Sequence, residues 1–582
     1  MKKIILSFIA ILSVIATDAQ TSPNGKIHAQ YVDGQGLVVS YKQNGSWMEI
    51  MTLSSDYDRL SSTVKQKVEY DMPFGKKSHI KNAYKKGCYM KSHGDNKDFL
   101  IVNVYNDGVT FGGPKAREYK VNFTAAKNNW LQKWSEAYEE FFPLNREQKA
   151  NNRYAYPALF EYKNKVFALL TESHMTADMA ATSMYATDSK DIFCLRPDGK
   201  ESSGSQTLII GSLADVVEST LVLDNSEPCK LPDISWIEPG VASWVYWAYN
   251  HGSNDYNIIK KYTDMAVELK LPYVLIDAEW DHFLAPYKVE DAIKYAVDHG
   301  VKPMIWYSSS IGWINGAPGP MFRLNKPEDR EKEFAWLESL GIKGIKIDFF
   351  SGDTNQNIKF MIELLEDAAK HHLLVNFHGA TLPRGWQRTY PNLISTEAVY
   401  GAEWYNNVPT FTKKAAMHNA TLPFTRNVVG SMDYTPCAFT DSQHLHITTH
   451  AHELALTALY ESGIQHLADR PESFLAQPQE VKNYLSELPT AWDETHLLCG
   501  YPGESVVIAR RKGSTWYIAG INGTDENKNI TFNTEVLRKL GKNITIFQDS
   551  GNADSPWKIT KSTKVQSTFS LLPRGGFVMV VK

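Results

Sequence analysis

Along residues 21 to about 235, apolar and polar positions alternate with a period of two, in short runs broken by turn residues. Gly36–Tyr41, Phe99–Tyr105, Lys165–Thr171 and Gln206–Ile210 read as strands, and Asn106-Asp107-Gly108 carries hairpin-turn chemistry. The pattern predicts a large antiparallel sandwich. From about residue 236 the rhythm changes, and short apolar runs alternate with amphipathic stretches of helical period. Eight runs qualify as strands: Ser243–Tyr249, Tyr273–Ala278, Lys302–Trp306, Gly344–Phe349, Leu374–Phe377, Asn392–Glu397, Thr421–Arg426 and Ile464–Leu467. Between them, Asn257–Leu269, Val289–His299, Pro327–Leu340 and Ile358–His371 read as helices, with stops at His299-Gly300 and at Lys370-His371-His372. Eight strand–helix units in succession predict a (β/α)8 barrel. From about 490 the period-two pattern returns in Ser505–Ala509, Thr515–Ile521, Ile544–Phe547 and Gly576–Val581, a small second sandwich.

The N-terminus departs from all of these patterns. Lys2 and Lys3 precede the apolar run Ile4–Ile15, and the small residues Thr17 and Ala19 fit a signal-peptidase site before Gln20. The expectation is an exported, periplasmic protein divided into a leader (1–19), a β domain (20–235), a barrel (236–488) and a C-terminal β domain (489–582). The leader is too short to span a bilayer comfortably, and no later stretch reaches 18 apolar residues, so no membrane span is expected.

Composition narrows the function classes. The 582 residues include 61 basic and 65 acidic side chains, and a net charge of −4 argues against an electrostatic nucleic-acid binder. The 15 Trp, 29 Tyr and 25 Phe make the chain rich in aromatic faces, which suit sugars or aromatic ligands. The five cysteines (Cys88, Cys194, Cys229, Cys437, Cys499) are odd in number, widely spaced and without a CxxC pair, which reads as buried free thiols, with one disulfide as the alternative in an oxidising compartment.

A barrel places its chemistry at the C-terminal strand ends. Those ends read Asp277-Ala278-Glu279-Trp280-Asp281, Lys346-Ile347-Asp348-Phe349, Asn376-Phe377-His378-Gly379 and Glu397, with Glu403 six residues on, then Arg426-Asn427. Carboxylates flanked by tryptophans suit glycoside hydrolysis, which needs two carboxyl groups across the scissile bond. Blander readings stand beside this one. Asp348 or Asp277 can cap a helix or anchor a loop, Glu397 and Glu403 can be solvated loop charges, and Trp280 and Trp306 can cap the barrel core. The histidines at 444, 446, 450 and 452 beside Glu453 invite a zinc reading, but position 456 is Leu, so HExxH is not met and a polar helix face is the alternative. No P-loop, no dinucleotide fingerprint and no GxSxG elbow is found.

These motifs together resemble glycoside hydrolase family 97. The resemblance rests on Val104-Tyr105-Asn106-Asp107-Gly108-Val109, Leu169-Leu170-Thr171-Glu172, His251-Gly252-Ser253-Asn254-Asp255-Tyr256, Gly344-Ile345-Lys346-Ile347-Asp348-Phe349-Phe350, Val375-Asn376-Phe377-His378-Gly379-Ala380-Thr381, Arg388-Thr389-Tyr390-Pro391-Asn392 and Glu397-Ala398-Val399-Tyr400-Gly401-Ala402-Glu403. It implies a multidomain α/β plus all-β fold, with an N-terminal β-super-sandwich, a (β/α)8 barrel and a C-terminal β-sandwich. It also implies a choice of mechanism. Inverting members carry a Glu base directly after the strand-five His, and here that position is Gly379; retaining members use an Asp at the end of strand four, and here that is Asp348. The implied roles are Asp348 as nucleophile and Glu403 as acid/base, with the two carboxyls about 5–5.5 Å apart. The resemblance further implies a calcium ion held by Glu172, Glu397 and Glu403. Strand-end position adds Asp277, Trp280, Lys346, His378 and Arg388 as contacts to substrate hydroxyls. The expected partner is a glycoside or oligosaccharide, first of all a terminal α-D-galactoside. A β-L-arabinopyranoside or an α-glucoside would keep the enzyme class, and a non-catalytic glycan-binding protein is the alternative of another class.

Overall fold

The computed structural model describes residues 19–582 apart from positions 56–58, 94–95, 114–117, 246–251, 407, 442–443, 539 and 553. All of the expected leader but Ala19 lies outside the described residues, as do the end of the first predicted barrel strand and His251. No helix among the described residues is long and apolar enough to cross a membrane.

The N-terminal region folds as a fifteen-stranded sheet running from Ala19–Thr21 to Ser205–Gly211. Its hairpin falls at Asn106-Asp107, where Asn96–Tyr105 turns back into the antiparallel strand Gly108–Gly112. The inward positions Val102, Val104, Val109 and Phe111 are at most 1% exposed, as alternation requires of a half-buried strand. Phe167–Ser173 differs, because every residue in it is buried. It lies between Arg153–Glu161 and Ser205–Gly211, so its polar residues, Glu172 among them, need partners inside the protein.

The central region is a barrel of seven parallel strands among the described residues: β1 (Gly240–Trp244), β2 (Tyr273–Ile276), β3 (Lys302–Ser308), β4 (Gly344–Asp348), β5 (Leu374–Phe377), β6 (Leu393–Thr396) and β7 (Ile464–Leu467). They pair in the order β6-β5-β4-β3-β2-β1-β7. Helices α1 (Tyr256–Glu268), α2 (Val289–Asp298), α3 (Pro327–Leu340) and α4 (Asn355–Lys370) alternate with them. Asp255 and Thr354 cap α1 and α4, and Pro327 opens α3 where its missing N–H costs nothing.

The expected strand Thr421–Arg426 does not form. The chain there makes two 3₁₀ turns, Leu422–Phe424 and Arg426–Val428. Pro423 cannot donate to a ladder. The buried Arg426 guanidinium donates to the carbonyls of Thr396, Glu397, Ala398, Gly430 and Ser431, so a side chain fills the gap that a strand would close. A parallel bridge, Thr396 to Met432, supplies backbone pairing there.

The C-terminal region is a six-stranded antiparallel sheet, with a two-stranded sheet made of Lys528–Thr531 and Thr568–Leu571. It docks on the helix His450–Leu459, where Arg510 donates to the carbonyls of Ala458 and Leu459. Three of the histidines around that helix pack against neighbours: His446 lies tilted against Tyr405, His450 stacks on Phe439, and His452 pairs with Asn419. Burial pushes His452 down to about 3, so it is a neutral core group.

All three regions meet at Lys76, whose ammonium donates to the carbonyls of Ser219 (3.2 Å) and Val428 (2.8 Å). Its own carbonyl accepts from the Thr495 hydroxyl at 2.9 Å. The five cysteines are free thiols, and of them Cys437 is buried while Cys229 is exposed, against the expectation that all would be buried.

Candidate active site

The strand ends β2, β4, β5 and β6 converge on a cavity of about 550 Å³ lined by Asp277, Lys346, Asp348, Gly379 and Glu403. Lys346 and Asp348 stand two apart on β4, so pleating sends both side chains into the barrel. Lys346 lies 3.1 Å from Asp277 Oδ2 and 4.0 Å from Asp348 Oδ2. The Trp244 indole donates to the same Asp277 oxygen at 2.6 Å. Burial pushes the Asp277 carboxyl upward, but Lys346 and the donors outweigh it and hold it below the usual range. Asp277 and Lys346 therefore form a fixed ion pair on the cavity floor.

Asp348 is only 9% exposed. Its Oδ1 accepts from the Phe349 N–H at 2.8 Å and its Oδ2 from the Trp306 indole at 3.2 Å. Burial raises its carboxyl, against the pull of Lys346 and His378. Gly379 faces it closely. A Cβ at this left-handed position (φ +48°) would lie 2.9 Å from Asp348 Oδ1 and 2.9 Å from Phe349 N. The backbone therefore reserves this space for the Asp348 carboxylate, and a side chain at 379 would displace it.

His378 bridges two carboxylates, with Nε2 at 2.8 Å from Asp433 and Nδ1 at 3.3 Å from Glu397. Burial disfavours its charge, but Glu397 and Asp433 outweigh burial and lift it well above the ordinary histidine range. Glu397 also accepts from the Gly379 N–H at 2.8 Å. Burial pushes the Glu397 carboxyl upward, but His378 and this N–H outweigh it and keep it low. Glu403 sits on the 3₁₀ turn Ala402–Asn406. Burial first, then the charge of Glu397, pushes it up to about 8.

Three residues expected here from sequence point elsewhere. Trp280 is 2% exposed; its indole donates to the Trp306 carbonyl and its ring packs on Tyr307 and Trp336, behind the cavity wall. Arg388 donates to the carbonyls of Leu223, Asp224 and Ser226 and lies over the Tyr70 ring, fastening the N-terminal region to the barrel. Glu172 accepts from Thr182 N (3.0 Å), Thr182 Oγ1 (2.6 Å) and Arg384 Nε (2.7 Å), and so is committed to the domain interface. The same interface buries Asp353, which accepts from Trp134, Tyr138 and Thr381, while Arg384 also donates to Tyr138.

The segment that interface holds carries the group missed from sequence. Glu139 lines the cavity beside Glu136 and Ala137. Burial, then the charges of Glu397, Glu403 and Asp348, pushes its carboxyl well above the usual range. The cue was a run of acids among aromatics, Trp134-Ser135-Glu136-Ala137-Tyr138-Glu139-Glu140, in a region otherwise read as sandwich. Asp433 was also missed, and nothing in its local sequence marks it.

The cavity suits a hard cation. Donor atoms of His378, Glu397 and Glu403 fall within 4.8 Å of one another. Both His378 nitrogens face carboxylates, which leaves the oxygens of Glu397 and Glu403 as the donors of that group, and Glu139 lines the same cavity outside it. Oxygen-only donors with surplus negative charge are what calcium prefers.

Residues 236–399 match the family model described as glycoside hydrolase 97. Residues 21–228 and 491–582 match the models for its N-terminal domain and its C-terminal, oligomerisation domain. The chain is 35% identical over 443 residues to a probable retaining alpha-galactosidase of Streptomyces bingchenggensis, covering 72% of this chain and 67% of that one. It is 29% identical over 389 residues to a retaining alpha-galactosidase of Bacteroides thetaiotaomicron, covering 61% of this chain and 56% of that one. Among solved structures, a beta-arabinopyranosidase superposes with a TM-score of 0.85 at 26% identity, over 97% of this chain and 99% of that one. A family 97 enzyme from Pseudoalteromonas sp. strain K8, in complex with acarbose, shares the fold with a TM-score of 0.82 at 19% identity, over 97% and 99% of the two chains.

Proposed function

The chain belongs to glycoside hydrolase family 97, and from that premise we propose that it is an exported, calcium-dependent, retaining exo-α-galactosidase. That it hydrolyses glycosides follows from the family; the sugar, the stereochemistry, the ion and the export are our reading. The observation that carries the reading is the pairing of Asp348 with Gly379. The carboxylate is held by two donors at the cavity wall, and the facing residue has no side chain to hold a water-activating base.

In the first step an Asp348 oxygen attacks the anomeric carbon as the bond to the leaving oxygen breaks, and Glu403 gives that oxygen its proton. In the second, Glu403 takes a proton from water, whose oxygen attacks the same carbon and releases the Asp348 carboxylate. Two displacements restore the starting configuration. Trp306 and the Phe349 N–H fix the attacking carboxylate, so little reorganisation remains at the moment of reaction. Asp277, held by Lys346 and Trp244, offers a fixed acceptor to sugar hydroxyls. Glu397 and Glu403 would hold the calcium ion, with the charge of Glu139 in the same cavity favouring it, and the ion's charge, when bound, stabilises negative charge developing in the site.

The likeness to a beta-arabinopyranosidase favours one second reading, β-L-arabinopyranoside hydrolysis. That sugar keeps the ring stereochemistry of an α-D-galactoside and lacks the hydroxymethyl group. Proton NMR of an aryl α-D-galactopyranoside, run before mutarotation, tests the proposal. α-Galactose released first supports it, and β-galactose released first overturns the role of Asp348. Faster turnover of the aryl β-L-arabinopyranoside shifts the substrate while keeping the mechanism. Mass spectrometry of the mature protein, beginning at Gln20, tests the export signal.

A further inference from the structure

The cavity is not uniform with depth. At its floor, Lys346, Asp277 and Asp348 are 2%, 5% and 9% exposed. On its wall stands Trp313, 53% exposed. Four barrel tryptophans, Trp244, Trp280, Trp306 and Trp386, are at most 2% exposed, and Trp404 on the same cavity is partly buried, so Trp313 is the more open of the two on that wall. An indole with half its surface open on the wall of the catalytic cavity offers a stacking face to a bound ring.

The segment bearing Trp313 joins β3 to α3, and it is pinned to the strand that carries Asp348. Ser309 N–H donates to the Asp348 carbonyl at 2.8 Å, and Gly312 N–H to the Phe349 carbonyl at 2.9 Å. Gly312 makes that approach possible, because a Cβ there would lie 2.2 Å from the Phe349 carbonyl oxygen. The Trp313 ring meets the Phe349 ring edge-on, with centroids 5.0 Å apart and planes at 81°. The ring is thus held at a fixed place beside the nucleophile's strand while much of its surface stays open to the cavity.

We propose that Trp313 is the platform for the leaving group, and that its ligand is the pyranose ring next to the bond being cleaved. This rests on the glycosidase reading above. The sugar to be cleaved belongs at the floor, where charged groups meet its hydroxyls and Asp348 meets its anomeric carbon. The next ring then lies outward, at the depth of Trp313, and the C–H face of a pyranose stacks on an indole. The enzyme is therefore selective for oligosaccharides over substrates with a minimal leaving group.

The experiment compares Trp313→Ala with the wild type on two substrates that share the cleaved sugar. Melibiose has a glucose leaving group; α-D-galactosyl fluoride has none that could reach Trp313. The expected result is a loss of roughly three- to tenfold in kcat/KM on melibiose, mostly in KM, with fluoride turnover unchanged within twofold. Trp313→Phe, which keeps an aromatic ring, recovers most of the melibiose activity. Equal losses on both substrates would place the effect on Asp348 through Phe349 and overturn the proposal, as would no loss on either. If the wild type turns over neither compound, the galactosidase reading fails instead. The comparison then runs on β-L-arabinopyranosyl fluoride and a disaccharide ending in that sugar, with the same criterion.

Discussion

The protein buries two groups of acids against one another's domains, and they are built on opposite logic. At the interface, Glu172 and Asp353 each accept at least three hydrogen bonds, and Arg384 ties the set together through Glu172 and Tyr138. In the cavity, burial first and then the charge of Glu397 raise the carboxyls of Glu139, Glu403 and Asp348, with Lys346 and His378 as the cations facing them. The first group holds two domains in register. The second lines a cavity and gathers like charges there. Burial alone does not tell such groups apart; the charges each carboxylate faces do.

The sharpest break of this comparison is removal of the proposed nucleophile. Asp348→Gly is expected to lower kcat by roughly 10⁴-fold or more, with azide restoring turnover as a glycosyl azide of inverted configuration. Lost activity without azide rescue argues for a base elsewhere. Glu403→Gln should cost roughly 10²- to 10⁴-fold on glycosides with poor leaving groups and much less on the fluoride. A uniform loss across leaving groups would remove its role as acid. Gly379→Ala comes next, at about 10²-fold in kcat, since it displaces the Asp348 carboxylate without touching its chemistry.

The smallest effect on catalysis is the one that separates the two groups of acids most cleanly. Glu172→Gln should leave calcium affinity by calorimetry unchanged while lowering thermal stability, by about 3–5 kcal/mol if the partner Arg384 is left unmatched. Glu139→Gln should do the reverse, weakening calcium binding while keeping the melting temperature of the ion-free protein. Both variants changing the same property would erase the distinction.

Position along the chain foretold much of this. The alternation of apolar strands and amphipathic helices gave the barrel nearly strand for strand, because each strand must bury both faces and each helix one. It failed at Thr421–Arg426, where the apolar run looks like a strand but Pro423 and the buried guanidinium of Arg426 decide otherwise. The strand-end rule brought Asp277, Lys346, Asp348, His378 and Glu403 to one neighbourhood. It could not say which way a side chain turns once the strand has ended, which is why Trp280 and Arg388 were misplaced. Glu139 lay beyond local reading because its approach to the barrel depends on Trp134 and Tyr138 meeting Asp353, more than two hundred residues away in sequence.

Lys76 carries a consequence for how the chain comes to be folded. The carbonyl of this early residue waits for the hydroxyl of Thr495, and its ammonium for a carbonyl at Val428. A growing chain makes the N-terminal sheet first, yet the Lys76 carbonyl stays without the Thr495 hydroxyl until nearly the last domain has been synthesised. A ribosome-stalled chain ending before residue 490 should therefore be protease-sensitive around positions 72 to 78, and the finished chain protected there. Completion of the C-terminal sheet, rather than of the barrel, is the event that closes the molecule.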